Sequence, residues 1–181
     1  MKKKKTGWTL FLDRDGVINV RKPDDYVKSW KEFTFLPHVL YSLKKLCLEF
    51  NPIIVVTNQA GIGKGLMTEQ DLKTIHKNAG RIIRKHGGRI DRFYHCPSLS
   101  QTTPNCRKPS NTMALWAKQD FPDIDFRHSI MVGDSLSDIE FGKILGMITV
   151  LIRGKETEKV NADFICRDLN EFYRIFETKI A

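Results

Sequence analysis

Apolar and polar positions alternate along this chain in blocks of two kinds. Short apolar runs, rich in β-branched and aromatic residues, occur at Trp8 to Leu12, Ile53 to Val56, Ile90 to His95, Ile130 to Val132, Ile148 to Ile152 and Asp163 to Cys166. They are too brief for helices, and each predicts a strand. Between them, Val39, Leu40, Leu43, Leu46, Cys47 and Phe50 recur at three- and four-residue spacings behind Pro37, which fits the first turn of a helix. A second stripe, Leu72, Ile75, Ala79, Ile82 and Ile83, is opened by Thr68 with Asp71 three residues on and stopped by Gly87-Gly88. Further helices are predicted around Thr112 to Lys118, near Ser137 to Leu145 with Gly146 after it, and from about Asn170 onward. Arg21 to Asp25 reads as a polar turn, and Cys96 to Pro109 as a proline-rich polar loop.

Strands alternating with helices predict an α/β fold: a mostly parallel sheet covered by helices on both faces. The connections after Asn19 and after His95 are too short for a large cap domain. At 181 residues the chain suits a single domain over 1–181, with Lys2 to Lys5 making residues 1–6 a flexible basic tail. No apolar run approaches the about 20 residues that span a bilayer, and the basic start leads into a strand, so a soluble, cytoplasmic, monomeric protein is expected. The four cysteines show no paired framework and are expected as free thiols. The five histidines form no ligand spacing and read as solvated or core residues. A net charge of +9 raises nucleic acid as a partner, but four of those charges form the terminal lysine run. The same field would draw in a small, doubly phosphorylated substrate, and that reading is preferred over nucleic acid.

The densest chemistry lies where the first strand ends, at Leu12-Asp13-Arg14-Asp15-Gly16. On an extended trace Asp13 and Asp15 point to one side, so one can attack a phosphorus atom while the other handles the leaving-group proton. Alone, Asp-x-Asp-Gly is equally an Asp-rich turn. The other strands decide between these, ending in Thr57-Asn58-Gln59 and Gly133-Asp134-Ser135, with Cys106-Arg107-Lys108-Pro109 between them.

With these motifs in this order, the chain resembles the haloacid dehalogenase superfamily of phosphohydrolases over nearly its whole length. Within it, the sequence is similar to the D-glycero-D-manno-heptose 1,7-bisphosphate 7-phosphatase family and its histidinol-phosphate phosphatase relatives. The resemblance implies a three-layer Rossmann-like core with an uncapped site. It also implies Asp13 as the nucleophile that becomes an aspartyl-phosphate, and Asp15 as the acid and base at the leaving oxygen and at water. Two carboxylates facing a phosphate dianion need a neutralising cation, which makes Mg²⁺ the expected cofactor. Asp13 and Asp134 would offer carboxylate oxygens and Asp15 its main-chain carbonyl. Asp138 either orients a water on the metal or is a helix-start charge. Lys108 fits the cation that holds nucleophile and phosphoryl group, and Thr57 the hydroxyl donor beside it. Substrate contacts are expected from Asn58, Gln59, Arg107, Lys108 and Lys64, whose glycine-flanked turn matches no nucleotide loop. Tyr26 matches an aromatic of the family's substrate loop, or else packs on Trp30 and Phe33.

The resemblance breaks in one loop. Family members commonly hold Zn²⁺ there with Cys-x-His and Cys-x-Cys, where this chain has Cys96-Pro97-Ser98 and Asn105-Cys106. Two of four donors are missing, so no structural zinc is predicted and Cys96 and Cys106 are expected as free thiols or loop packing. Ser135 also stands where a lysine is common. The expected activity is removal of the 7-phosphate of a heptose bisphosphate. The alternatives are histidinol phosphate, another sugar phosphate, a nucleic-acid phosphate end, or phosphate binding without turnover.

Overall fold

The computed structural model describes residues 7–154 and 160–180; the basic tail lies outside them. Six strands form one parallel sheet: β1 (Thr9–Leu12), β2 (Ile53–Asn58), β3 (Arg92–Cys96), β4 (Ser129–Gly133), β5 (Ile148–Ile152) and β6 (Phe164–Cys166). Their order is β3-β2-β1-β4-β5-β6, so the chain builds outward from β1 on one side and then crosses to build on the other. The carboxyl ends of β1 and β4 therefore flank the switch point, where α/β sheets open a crevice.

Side-chain parity divides the core. Leu10, Leu12, Ile53, Val55, Ile130 and Val132 face one layer, with α1 (Val39–Glu49), α3 (Glu69–Lys85) and α6 (Leu169–Ile175) supplying Leu43, Leu46, Leu72, Ile75 and Phe172. Phe11, Ile54, Val56 and Met131 face the other, against Met113, Ala114 and Ala117 of α4 (Thr112–Asp120) and Phe141 of α5 (Leu136–Ile144). A strand buried on both faces has little room for polar side chains, which is why β1 reads as an apolar run from Leu10 to Leu12 after the buried Thr9. The remaining helix, α2 (Ala60–Gly63), is a single turn after β2.

The expected elements are present, with shifted ends. α3 opens on the capping box, Thr68 accepting from the Asp71 N–H and Asp71 from the Thr68 N–H, and it stops before Gly87 at φ +83°. β3 begins at Arg92, two residues after its expected start, because the Asp91 carboxylate accepts the Ile53 N–H at 2.8 Å in place of a ladder carbonyl. α1 begins at Val39, since His38 before it is left-handed at φ +62°. Between β1 and α1 the chain forms one 3₁₀ turn at Trp30–Glu32, and no helix or strand interrupts 97–111, so nothing among the described residues caps the sheet. No helix there is long and apolar enough to cross a membrane.

Candidate active site

A cavity of about 670 Å³ opens over the carboxyl ends of β1, β2 and β4. At its base the ammonium of Lys108 lies 2.7 Å from Asp13 Oδ1, 2.8 Å from the Val56 carbonyl and 2.6 Å from Asp138 Oδ1. Asn58, closing β2, grips the Lys108 main chain from both sides: its Oδ1 accepts the Lys108 N–H at 2.9 Å, and its Nδ2 donates to the Lys108 carbonyl. Asp138 caps α5 through Oδ2, which accepts from the Ser135 hydroxyl and from the N–H groups of Asp134 and Ser135. Asp134 sits against Gly16, whose φ is +87°; a Cβ there would lie 2.0 Å from Asp134 Oδ2. Only glycine allows that approach and that backbone.

One lysine between two carboxylates neutralises one of them. Asp138 has three further donors, so the surplus negative charge falls on Asp13. Burial pushes Asp13 up to about 8 against the pull of Lys108, with Asp138, Asp134 and Asp15 adding repulsion. Lys108 is held above its ordinary value: burial opposes its charge, but Asp13 and Asp138 outweigh burial. Asp134 is raised to about 6 by burial and Asp138, although Arg21 reaches it at 3.1 Å. Ligand oxygens of Asp13, Asp134 and Asp138 lie within 4.8 Å of one another. An all-oxygen, over-charged, buried set of this kind fits a hard divalent cation such as Mg²⁺.

Asp15 is different. Its carboxylate takes hydrogen bonds from Arg14 at 3.0 Å, Asn19 at 2.9 Å and Gln59 at 2.9 Å. Burial alone would raise it, but the Arg14 charge and the three donors hold it below its ordinary value. Behind it, the buried Arg14 contacts His76 at 3.4 Å, and burial followed by Arg14 keeps His76 well below its usual range.

The matching family model is the HAD-hydrolase-like one, over residues 105–172. A D-glycero-alpha-D-manno-heptose-1,7-bisphosphate 7-phosphatase of Mycobacterium bovis is 45% identical over 134 residues, covering 74% of this chain and 70% of that protein. The chain belongs to the heptose-bisphosphate phosphatase family of HAD-like hydrolases. A second family member, from Campylobacter jejuni, is 34% identical over 94% of this chain and 96% of its own. The fold of the family is seen in a heptose bisphosphate phosphatase from B. bronchiseptica complexed with magnesium and phosphate. It matches with a TM-score of 0.85 at 28% identity, over 94% of this chain and 99% of the other.

Within this phosphatase, the cavity gathers Asp13, Asp15, Tyr26, Thr57, Asn58, Lys64, Arg107, Lys108, Asp134 and Asp138, as the motifs led one to expect. Gln59 is placed elsewhere: it is fully buried behind Asp15 and Thr57 and does not line the cavity. Asp138 caps the start of α5, and its carboxylate also lies in the acidic group with Asp13 and Asp134. Tyr26 lies against Gly61 and beneath Lys64, whose ammonium is 5.2 Å from the ring centroid, while Trp30 stacks on Phe33 instead. Arg21 and Arg14 were not singled out from the sequence; a polar turn and the middle residue of Asp-x-Asp carry no signal for a partner many residues away.

A second expectation is overturned. Cys96 and Cys106 are not free thiols but a disulfide, their Cα atoms 5.5 Å apart. They stand ten positions apart in the chain, and the loop folds back so that Cys106 meets the end of β3. Both sulfurs are thus bonded to each other, and the loop is tied to the sheet one residue before Arg107. Cys47 and Cys166 are free.

Proposed function

We propose that this phosphatase hydrolyses a phosphomonoester through a phosphorylated Asp13, and that its substrate is D-glycero-D-manno-heptose 1,7-bisphosphate, losing the 7-phosphate. Asp13 attacks phosphorus in line with the ester oxygen; the P–O ester bond breaks, and the departing oxygen takes a proton from Asp15, which is ionised in the free protein and takes that proton from solvent once the phosphate dianion lies beside it. Water then attacks the acyl phosphate, Asp15 takes the proton from it, and inorganic phosphate leaves with Asp13 restored. Lys108 holds the nucleophile in place and Thr57 donates to a phosphoryl oxygen. Asp13, Asp134, Asp138 and the Asp15 main-chain carbonyl would hold Mg²⁺, which supplies positive charge to the transferring phosphoryl group.

The observation that carries this reading is a buried lysine–carboxylate cluster beneath a rim with an excess of cations. The reactive group, with Lys108 nearly sealed at 2% side-chain exposure, lies below a more exposed ring in which Arg21, Lys22, Lys64 and Arg107 outnumber Asp24, Asp25 and Glu140. Such a ring suits a second anionic group on the same small molecule, and guanidinium binds phosphate bidentately. The names carried by relatives support the heptose assignment. Phosphate release with Mg²⁺ is measured over a panel of both anomers of the heptose bisphosphate, histidinol phosphate, sugar monophosphates and 3′-phosphorylated oligonucleotides. The bisphosphate is expected to give the highest kcat/KM; a monophosphate that outruns it removes the substrate assignment.

A further inference from the structure

We propose that Gln59 is a positioning residue: through one amide nitrogen it aims the Thr57 hydroxyl at the phosphoryl group and fixes the Asp15 carboxylate. Gln59 Nε2 lies 2.9 Å from Asp15 Oδ2 and 2.9 Å from Thr57 Oγ1. An amide nitrogen carries two protons, so both contacts are donated by Gln59. The alternative orientation would set the amide oxygen against an ionised carboxylate, acceptor to acceptor. The structure accepts a cost for the orientation it has, since Gln59 Oε1 is buried with no partner.

The consequence falls on Thr57. Because its oxygen receives a proton from Gln59, its own proton must point elsewhere, and no acceptor for it is found among the described residues. Thr57 is buried but lines the cavity, so a phosphoryl oxygen seated there is the acceptor this proposal assigns to that proton. Gln59 is itself held still: it is fully buried, and its main-chain N–H donates to the Cys96 carbonyl at 2.8 Å. The transfer cradle and the proton-handling carboxylate, which come from β2 and from the end of β1, are thereby set relative to each other by one side chain. This role rests on the phosphomonoester reading above, not on which sugar is the substrate.

The test uses p-nitrophenyl phosphate with Mg²⁺ and the variants Gln59→Leu, Gln59→Glu, Thr57→Ala and Gln59→Leu/Thr57→Ala. Gln59→Leu is expected to lower kcat by about 10- to 100-fold with KM changed by no more than about threefold. On the Thr57→Ala background the same substitution should cost a clearly smaller factor, because the hydroxyl that it orients is gone. Wild-type kcat in Gln59→Leu, or an equal factor in both backgrounds, overturns the proposal. If Gln59→Leu fails to fold, Gln59→Glu of the same shape is read alone: its carboxylate opposes Asp15 and captures the Thr57 proton, so kcat must fall, and an unchanged value overturns the proposal. A wild-type protein silent on every phosphomonoester would instead sink the functional reading itself, and this inference with it.

Discussion

The surroundings of Asp13 do not fully balance the charge of its ionised form. A carboxyl raised in the folded chain to about 8 from an ordinary 3.8 costs stability as pH climbs between those values, because the unfolded chain gives up its proton first. Through this group, metal-free protein should therefore melt at a lower temperature at pH 8 than at pH 5. Mg²⁺ should restore more at pH 8, where fewer protons need displacing. Asp13→Asn should flatten the metal-free pH dependence, keep the fold and lower kcat by at least about 10³-fold. Thermal melts with chelator and with Mg²⁺ at the two pH values, beside phosphate-release rates, check each part. The carboxylates themselves were legible in the sequence, because strand parity and strand ends specify where such residues point. Gln59 was not: three polar residues after an apolar run look alike until the fold shows which one turns inward.

The loop that follows β3 gains rigidity from a covalent tie, where the sequence led one to expect two separate thiols. Scattered cysteines give no pairing signal, and only the fold shows that residues 96 and 106 meet. A closed loop of that size is worth about 2–3 kcal/mol through the unfolded chain. Under denaturing, non-reducing conditions, thiol titration should find two reactive cysteines, and four after reduction. Reductant, or Cys96→Ser with Cys106→Ser, should lower stability in urea by that amount and raise KM more than it lowers kcat, since Arg107 loses its anchor while Lys108 keeps the grip of Asn58. The strands and helices that were expected differ only at their ends, where a single side chain such as Asp91 replaces a backbone partner. Periodicity carries the existence of an element; a terminus is decided by contacts that periodicity does not contain.

Across the whole molecule, the order β3-β2-β1-β4-β5-β6 accounts for the site more than any motif does. Alternating strands and helices made the parallel sheet legible, but not which strands would flank β1. The net charge of +9 and the basic ring around the cavity together form a field that draws in a multiply charged anion. For the bisphosphate, kcat/KM should fall by about threefold or more as ionic strength rises from about 0.02 to about 0.3 M, with kcat little changed. Steady-state kinetics over a salt series measures it, and a flat series would assign the charge to something other than capture.

The placement of β1 between β2 and β4 also sets when the protein becomes competent during its synthesis. Asp13 emerges early, yet Asp134 and Asp138 follow more than a hundred positions later, just past the strand that must dock against β1 and in the helix after it. A chain arrested on the ribosome before that point carries the proposed nucleophile without two of the three acidic side chains of the cluster, and is expected to stay chemically silent until β4 has joined the sheet.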